Sequence, residues 1–535
     1  MNADTSYTAH VDSFARDHLP PRELWPEMIF DIPEVRYPER LNCVVEVLDR
    51  MVTAGHGERP VIRSPSGVLT YRELLTLVDR IACVLTEDLA LVPGNRVLLR
   101  APNNPMMAAC WLAVVKAGCI AVATMPLLRA RELSVIMDKA QVNAALCDIS
   151  LKEEMELGRS ACPALYFNAG TADSLEQLAL AKSPSFTAVP TAADDVCIIA
   201  FTSGTTGVPK GTMHFHRDVM AICDCFPRSC LKTTTDDIFC GSPPLAFTFG
   251  LGGLLLFPMR FGASTVLVEK LTPTTLLSTI EQHRATVCFT APTFYRQMAG
   301  VAFDYDISSL TRAVSAGETL PVATRELWEK ETGVRLIDGI GATELLHIFI
   351  AAAGDEIRSG PTGKPIPGYR ACVLDDDGKP VPPGTVGRLA VKGPTGCRYL
   401  ADERQRNYVF DGWNMTGDAY LMDADGYFWY QARTDDMIIS AGYNIAGPEV
   451  ESALLLHPTV AECAVIGVPD EERGQIVKAF VVVKKDVVAD AALAVALQNF
   501  VKQAIAPYKY PRAVEFRESL PRTETGKLQR FKLRG

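Results

Sequence analysis

The stretch that most constrains this chain is a short polar loop directly after a buried strand. Residues 196–201 form a continuous apolar run, typical of a strand covered on both faces. Residues 202–211 then read Thr-Ser-Gly-Thr-Thr-Gly-Val-Pro-Lys-Gly. The glycines let backbone N–H groups approach an anion, and the hydroxyls and the lysine add donors for phosphate oxygens. We therefore predict a polyphosphate-binding loop.

Two other interpretations of this loop are less satisfactory. It is not a Walker A loop, because Pro209 stands five residues after Gly204, where that pattern requires glycine followed by lysine. A flexible Gly/Ser/Thr linker is the plainer alternative. Linkers seldom follow a buried strand directly or end in Pro-Lys-Gly, so phosphate binding is favoured.

Size and composition limit the classes of protein to consider. A chain of 535 residues exceeds what one hydrophobic core usually serves, so several domains are expected. A net charge of -10 argues against a nucleic-acid partner. The fifteen cysteines include no CxxC pair, and many lie in apolar runs. They are expected to be reduced core thiols, which predicts a cytoplasmic location.

The order of helices and strands indicates the fold class. Thr70 to Glu73 is a capping box that begins a helix, and apolar helices alternate with continuous apolar strands from there on. The most membrane-like stretch, 106–128, is interrupted by Lys116, Gly118 and Pro126. It is better interpreted as a buried helix, a turn and a buried strand, so no membrane segment is predicted.

The residue pattern of the chain changes after about residue 360. Asp-Gly turns at 375–378 and 423–426 separate alternating strands, which predicts antiparallel β structure. The second turn resembles the start of a calcium loop but lacks the remaining ligands. We predict a multi-domain α/β protein: a large N-terminal domain, 1–434, of layered α/β subdomains plus an antiparallel β subdomain, and a small α+β domain, 435–535.

The loop motif, Thr-Ser-Gly-Thr-Thr-Gly-x-Pro-Lys-Gly, resembles the signature of the adenylate-forming enzymes, which include acyl- and aryl-CoA ligases. The likeness extends over nearly the whole chain. It implies ATP, Mg²⁺ and coenzyme A as cofactors and a C-terminal domain that moves between two poses. In the loop it assigns nucleotide contacts to Thr202, Ser203, Gly204, Thr205, Thr206 and Lys210.

Further motifs of the family carry other parts of the expected ATP site. By resemblance, Gly317 and Glu318 and then Asp338, Gly339 and Ile340 border the adenine. Thr343 touches phosphate oxygens, and Glu344 holds Mg²⁺, a role that suits a carboxylate beside a hydroxyl. An acidic residue at the start of a helix is the plainer interpretation of Glu344.

The resemblance also assigns residues nearer the C-terminus. Asp418 and Arg433 meet the ribose, although Ala432 stands where the family usually has glycine. Asp435 falls at the hinge, and Lys527 is the catalytic lysine that enters the site during adenylation. Gly442 and Tyr443 line the pantetheine tunnel.

The acid substrate is expected to bind beside the nucleotide. Ala246, Phe247 and Phe249 suggest a flat apolar slot for an aryl ring, although such aromatic spacing is also ordinary core. His347 resembles the histidine of benzoate-CoA ligases, and Gly341 lies in the same region. A buried structural histidine is the equal alternative.

Segments around Cys397 and Trp429 look most like 2-aminobenzoate (anthranilate)-CoA ligases. The sequence therefore predicts an aryl-CoA ligase that acts on a small aromatic carboxylic acid. Benzoate, hydroxybenzoate or medium-chain acids remain alternative substrates, and an acyl carrier protein remains an alternative acceptor to CoA.

Overall fold

The structure is a computed structural model that describes residues 7–159, 161–202, 209–434, 436–440, 443–470, 473–505, 507–522 and 528–534. For Tyr443, the structure describes the backbone but not the side chain. Several residues of the predicted site lie outside the described ones: Ser203, Gly204, Thr205, Thr206, Asp435, Gly442 and Lys527.

The strands are, in chain order, β1 Pro60–Ser64, β2 Gly67–Thr70, β3 Arg96–Arg100, β4 Ile120–Thr124, β5 Ala144–Asp148, β6 Ala164–Phe167, β7 Val196–Thr202, β8 Lys210–Phe215, β9 Ile238–Gly241, β10 Ser264–Val266, β11 Val287–Thr290, β12 Arg312–Ser315, β13 Leu336–Gly341, β14 Ile348–Ala351, β15 Lys364–Pro365, β16 Arg370–Leu374, β17 Val386–Lys392, β18 Val409–Phe410, β19 Trp413–Met422, β20 Phe428–Arg433, β21 Ile438–Ser440, β22 Tyr443–Ile445, β23 Val460–Asp470, β24 Gly474–Val483 and β25 Ala513–Phe516.

The α-helices are α1 Phe14–Asp17, α2 Tyr71–Cys83, α3 Pro105–Lys116, α4 Ala130–Ala140, α5 Lys152–Gly158, α6 Leu175–Leu180, α7 His216–Phe226, α8 Thr248–Leu251, α9 Phe257–Arg260, α10 Pro273–His283, α11 Pro292–Ala299, α12 Val322–Thr332, α13 Gln405–Tyr408, α14 Gly447–Leu455 and α15 Ala491–Ala504. Short π-helical segments are Val45–Asp49, Val52–His56, Val84–Asp88, Pro227–Leu231 and Gly252–Leu256. Short 3₁₀ segments are Arg22–Leu24, Pro33–Val35, Ile149–Leu151, Ala302–Asp304, Thr343–Leu345, Gly354–Glu356, Pro507–Lys509 and Arg530–Leu533.

Two large sheets form the body of the protein. One has the order β6-β5-β3-β4-β7-β8 and is parallel except for β8, which returns antiparallel to β7. The other has the order β15-β14-β13-β12-β11-β9-β10-β1-β2, with a parallel centre from β13 to β1. The predicted α/β class with layered sheets is confirmed.

Three smaller sheets complete the fold. The order β16-β17-β19-β18, with β20 beside β19, is the predicted antiparallel part. Strands β21 and β22 form a hairpin, and β23-β24-β25 form the sheet of the C-terminal unit, against which α14 and α15 pack.

Several local predictions are confirmed by side-chain contacts. Thr70 Oγ1 accepts from the Glu73 N–H at 3.2 Å, and Glu73 accepts from the Thr70 N–H at 2.8 Å, which is the capping box of α2. The Asp423 carboxylate accepts from two backbone N–H groups and from Trp429 Nε1, so it serves a hairpin turn. All fifteen cysteines are unpaired, and twelve are buried.

The membrane-like stretch is interior, as predicted. It forms helix α3, buried on every side, followed by β4. Within the described ranges every helix is too short or too polar to span a lipid bilayer.

Lys116, at the end of α3, is a fully buried cation held by two carboxylates. Its Nζ lies 2.7 Å from Asp49 Oδ1 and 2.5 Å from Asp79 Oδ1. Burial raises the pKa of Asp79, and the lysine lowers it in opposition. The three residues belong to three different helical segments, so this ion pair fixes how those segments pack.

We expect Lys116→Met to lower the free energy of unfolding by about 3–5 kcal/mol, because it leaves two carboxylates without their buried cation. Lys182 is the matched control, since it also pairs with two carboxylates, Glu87 and Asp88, but near the surface. Lys182→Met is expected to leave the free energy of unfolding almost unchanged, because exposed ion pairs contribute little to stability. Denaturant unfolding of the two variants measures the difference, and equal losses would contradict this account of the core.

Candidate active site

The second large sheet gathers the predicted site residues at one edge. Strands β9, β11, β12 and β13 are neighbours and parallel, so their carboxyl ends meet at that edge. The apolar slot segment follows β9, the Gly317 turn follows β12, and Thr343 and Glu344 follow β13. Ligand sites of open α/β sheets lie at such edges.

The phosphate-loop hairpin comes from the other large sheet. Thr202 ends β7 opposite Lys210, the first residue of β8, so these two residues close the base of the loop. Lys210 Nζ donates to the Tyr399 hydroxyl at 3.2 Å. That hydroxyl in turn donates to Glu344 Oε1 at 2.5 Å. The loop cation and the proposed metal carboxylate are therefore joined through one phenol.

Tyr399 was not singled out by the sequence. It lies in a segment, 398–400, that pairs with β8 through the Met213 N–H to Arg398 O and the Leu400 N–H to Gly211 O bonds. Burial, followed by the Glu344 charge, holds the Tyr399 pKa far above its usual value, so the hydroxyl keeps its proton and donates. Its signal in the sequence is the resemblance of the segment around Cys397 to 2-aminobenzoate–CoA ligases, which assigns no role to the tyrosine itself.

The proposed adenine wall is formed by the turn after β12 and by the neighbouring strand β13. Gly317 has a φ of +88°, in the region that favours glycine. Glu318 accepts from Thr293 Oγ1 at 2.9 Å and pairs with Arg522 at 3.4 Å. Asp338 lies beside Ser315 in the register of β12 and β13.

Asp338, in that wall, has a strongly perturbed carboxyl group. Burial raises its pKa to about 7, against the lowering effects of Arg325 and of the Gly339 N–H. Gly339 and Ile340 continue β13 and pair with β14. Asp338 therefore changes charge near neutral pH, where a ligand can alter its protonation.

The proposed ribose pair is assembled across β19 and β20. Asp418 is opposite Arg433, whose Nη1 donates to Asp418 Oδ1 at 3.0 Å and to the Thr416 carbonyl at 3.0 Å. Gly417 has a φ of +76°, and a Cβ there would lie 2.7 Å from Arg433 Nη2. Ala432, the departure from the family pattern, sits in β20 with ordinary extended backbone.

The pKa of Asp418 also depends on the charge of Glu344, the proposed Mg²⁺ ligand. Burial raises its pKa, the Glu344 charge adds to that rise, and Arg433 lowers it. The ribose pair and Glu344 therefore belong to one electrostatic environment.

An aromatic cluster lies behind the proposed substrate slot. His347 is 2% exposed and its ring packs against Phe226, Phe249, Phe257 and Phe289, at centroid distances of 4.5 to 6.3 Å. Ala246, Phe247 and Phe249 are partly exposed in front of it, while Gly341 closely approaches the His347 backbone.

His347 is neutral, because burial lowers its pKa to about 3. Its Nε2 lies 3.4 Å from the Phe249 carbonyl oxygen, so Nε2 carries the proton. Nδ1 is buried and has no hydrogen-bond partner among the described residues. His347 Nδ1 is thus a hydrogen-bond acceptor that receives no hydrogen bond from the described residues.

The C-terminal unit contacts the proposed adenine wall through Arg522. Arg522 bridges Glu318 and Glu462, the latter at 2.8 Å, and pairs with Leu528 as a β-bridge. These two residues flank the segment that contains Lys527.

The family is shown by comparison with known proteins. A profile described as AMP-binding enzyme matches residues 50–399, and one described as AMP-binding enzyme C-terminal domain matches residues 449–527. The chain belongs to the AMP-binding enzymes. It is an AMP-forming acid–CoA ligase, of the group that includes the aromatic acid–CoA ligases and that uses ATP and CoA.

Individual relatives match over almost the whole chain. The benzoate–CoA ligase of Thauera aromatica is 36% identical over 512 residues, which is 94% of this chain and 97% of the relative. The structure of the anthranilate CoA ligase AuaEII in complex with anthranoyl-AMP matches with a TM-score of 0.89 at 33% identity, over 94% of this chain and 98% of that one. A benzoate CoA ligase from Burkholderia xenovorans LB400 matches with a TM-score of 0.86 at 30% identity, over 92% and 100% of the two chains.

The contact through Tyr399 generates a direct prediction. Tyr399→Phe removes the hydroxyl that joins Lys210 to Glu344, so acid-dependent pyrophosphate release is expected to fall about 5- to 100-fold, the equivalent of one buried hydrogen bond to a charge. Tyr408→Phe is the matched control, because that neighbouring hydroxyl is buried and has no hydrogen-bond partner among the described residues. Equal rates for the two variants would show that the phenol bridge is unimportant.

Proposed function

We propose that this chain is a 2-aminobenzoate–CoA ligase that forms an aryl-AMP intermediate and then a CoA thioester. The Lys210–Tyr399–Glu344 contact is the observation that carries the adenylation step. A carboxylate and a triphosphate repel each other, so their reaction needs cations held at a fixed place. The phenol bridge supplies that fixed arrangement from two separate sheets.

In the first half-reaction the acid carboxylate attacks the α-phosphorus, and the bond to pyrophosphate breaks. Lys210 would bind phosphate oxygens at the base of its loop, and Asp418 with Arg433 would orient the ribose. Gly317, Glu318, Asp338, Gly339 and Ile340 would border the adenine. The α-phosphate would then lie near the aromatic slot.

The donor set at 343–344 fits a magnesium ion. Glu344 is buried, with Oε1 held by Tyr399, and a hydroxyl stands beside it on Thr343. Such oxygen ligands are those that Mg²⁺ prefers. When bound, the ion would neutralise charge on the triphosphate. Glu344 would hold the ion, and Tyr399 would keep the carboxylate in place.

The aromatic cluster supports an aryl acid with a hydrogen-bond donor. Phe249 is partly exposed and backed by His347, so a flat ring can stack in the slot. An N–H or O–H substituent that reached the buried His347 Nδ1 would satisfy this acceptor, whereas benzoate or octanoate would not. The likeness to the structure named for anthranilate agrees with an amino substituent.

The C-terminal residues complete the proposal. Lys527 would reach the α-phosphate during adenylation, and the contact of neighbouring Arg522 with Glu318 supports this. The boundary is proposed at Asp435, as the hinge between 1–434 and 435–535. Gly442 and Tyr443 would line the passage for the CoA thiol. The unpaired cysteines agree with a reducing cytoplasm.

The substrate is tested by thioester formation with 2-aminobenzoate, benzoate, salicylate and octanoate, using CoA and a carrier protein as alternative acceptors. We expect the highest kcat/KM with 2-aminobenzoate and CoA. His347→Phe keeps the ring packing and removes Nδ1, so the preference over benzoate should fall about 5- to 100-fold. A preference for octanoate, for benzoate or for the carrier protein would contradict the proposal.

Lys527 separates the two half-reactions. Lys527→Ala is expected to slow aryl-AMP formation about 10²- to 10³-fold, since a donor to developing charge is lost. Thioester formation from supplied aryl-AMP should continue at nearly the original rate. Equal loss of both steps would argue against a lysine that acts in only one pose.

A further inference from the structure

The turn that carries Thr343 and Glu344 is strained. It is a single 3₁₀ turn, Thr343–Leu345, after β13, and the next residue, Leu346, has a φ of +70°. A branched side chain disfavours this left-handed backbone, which persists only where the surroundings hold it. The position of Glu344 therefore depends on what tethers the turn.

Three side chains from outside the turn tether it. His214 Nε2 lies 2.7 Å from the Thr343 carbonyl oxygen, and Thr395 Oγ1 donates to the Leu345 carbonyl at 2.8 Å. Tyr399 holds the Glu344 carboxylate. His214 differs from the others because it lies on β8, four residues after Lys210.

The chemistry of the His214 contact fixes the tautomer. A carbonyl oxygen only accepts, so Nε2 carries the hydrogen and donates. On the other side of the ring, Nδ1 lies 3.7 Å from Asp218 Oδ2, and both side chains are fully buried. Arg398 Nη1 lies 2.8 Å from the same Asp218 oxygen.

Asp218 is a stable anion behind the ring. Burial acts to raise its pKa, but the charge of Arg398 lowers it to about 2. Arg398 belongs to the same segment as Tyr399, which pairs with β8. Arg398 and Asp218 thus pack, buried, behind the His214 ring whose other side contacts the Thr343 carbonyl.

We propose that His214 is a positioning residue for adenylation. It holds the Thr343–Glu344 turn at a fixed place relative to β8, and therefore relative to Lys210. The inference rests on the proposed function, because it assigns a purpose to that turn. His214 touches neither substrate nor cofactor in this scheme. It acts through the backbone that presents Glu344.

Replacing His214 with glutamine or asparagine tests the donated hydrogen bond. Glutamine can place an N–H near the position of Nε2, whereas the shorter asparagine amide corresponds to Nδ1 and does not reach Thr343. We expect His214→Asn to lower acid-dependent ATP–pyrophosphate exchange about 10- to 100-fold and to raise the Mg²⁺ concentration for half-maximal rate. His214→Gln should retain exchange within a few-fold of the unaltered protein.

Two further readouts separate positioning from general stability. Thioester formation from supplied aryl-AMP should change less than about two-fold in His214→Asn, because that step does not need the turn. The rise in melting temperature on adding MgATP should shrink in His214→Asn and persist in His214→Gln. His283→Gln, on α10, is the matched histidine control and should leave every readout unchanged.

The outcomes are distinct. Equal behaviour of the glutamine and asparagine variants, or parallel loss of both half-reactions with the melting temperature, would overturn the positioning role. If the asparagine variant does not fold, Thr395→Val removes another tether of the same turn, and unchanged Mg²⁺ dependence there would also overturn it. Absence of exchange in the unaltered protein would reject the proposed function itself.

Discussion

One phenol connects the opposite charges on which the site depends. Tyr399 accepts from Lys210 and donates to Glu344, so a cation from the hairpin of one sheet and a carboxylate from the edge of the other keep a fixed separation. Because the region is buried, water weakens these interactions little. The proposed adenylation needs this arrangement in advance, since the reacting groups are both anions.

The two sheets provide this arrangement by different means. Parallel strands of the larger sheet bring the residues of the proposed adenine wall, metal site and substrate slot to one edge. Strand β8 delivers Lys210, and the 398–400 segment beside it delivers Tyr399. The strained turn after β13 is then held from β8 by His214. Positions far apart in sequence are thus fixed to one another through backbone pairing.

The sequence predicts the local structure well, because that structure depends on local patterns. The capping box at Thr70 and the Asp-Gly turn at 423–426 both follow from residue types at short spacing. The family motifs likewise identify Glu344 and Asp418 as candidates. The contacts of Tyr399 and His214 were not predictable, because their partners lie 55 and 129 positions away in the chain. No periodicity or motif encodes such pairs.

His347 illustrates the same limit at a finer level. The sequence leaves two interpretations open, a pocket residue or a structural histidine. The structure shows a neutral ring packed among four phenylalanines, with one nitrogen near a carbonyl and the other without a partner among the described residues. Only the three-dimensional packing reveals this combination of a core position and an unused acceptor.

In the proposed reaction, a fixed arrangement of charges allows a small aromatic acid to attack the α-phosphate of ATP. Exchange of labelled pyrophosphate into ATP, measured without CoA, tests it most directly. We expect exchange that requires both 2-aminobenzoate and a divalent cation. Exchange that is absent with every small aromatic acid, or that proceeds without any acid, would contradict it.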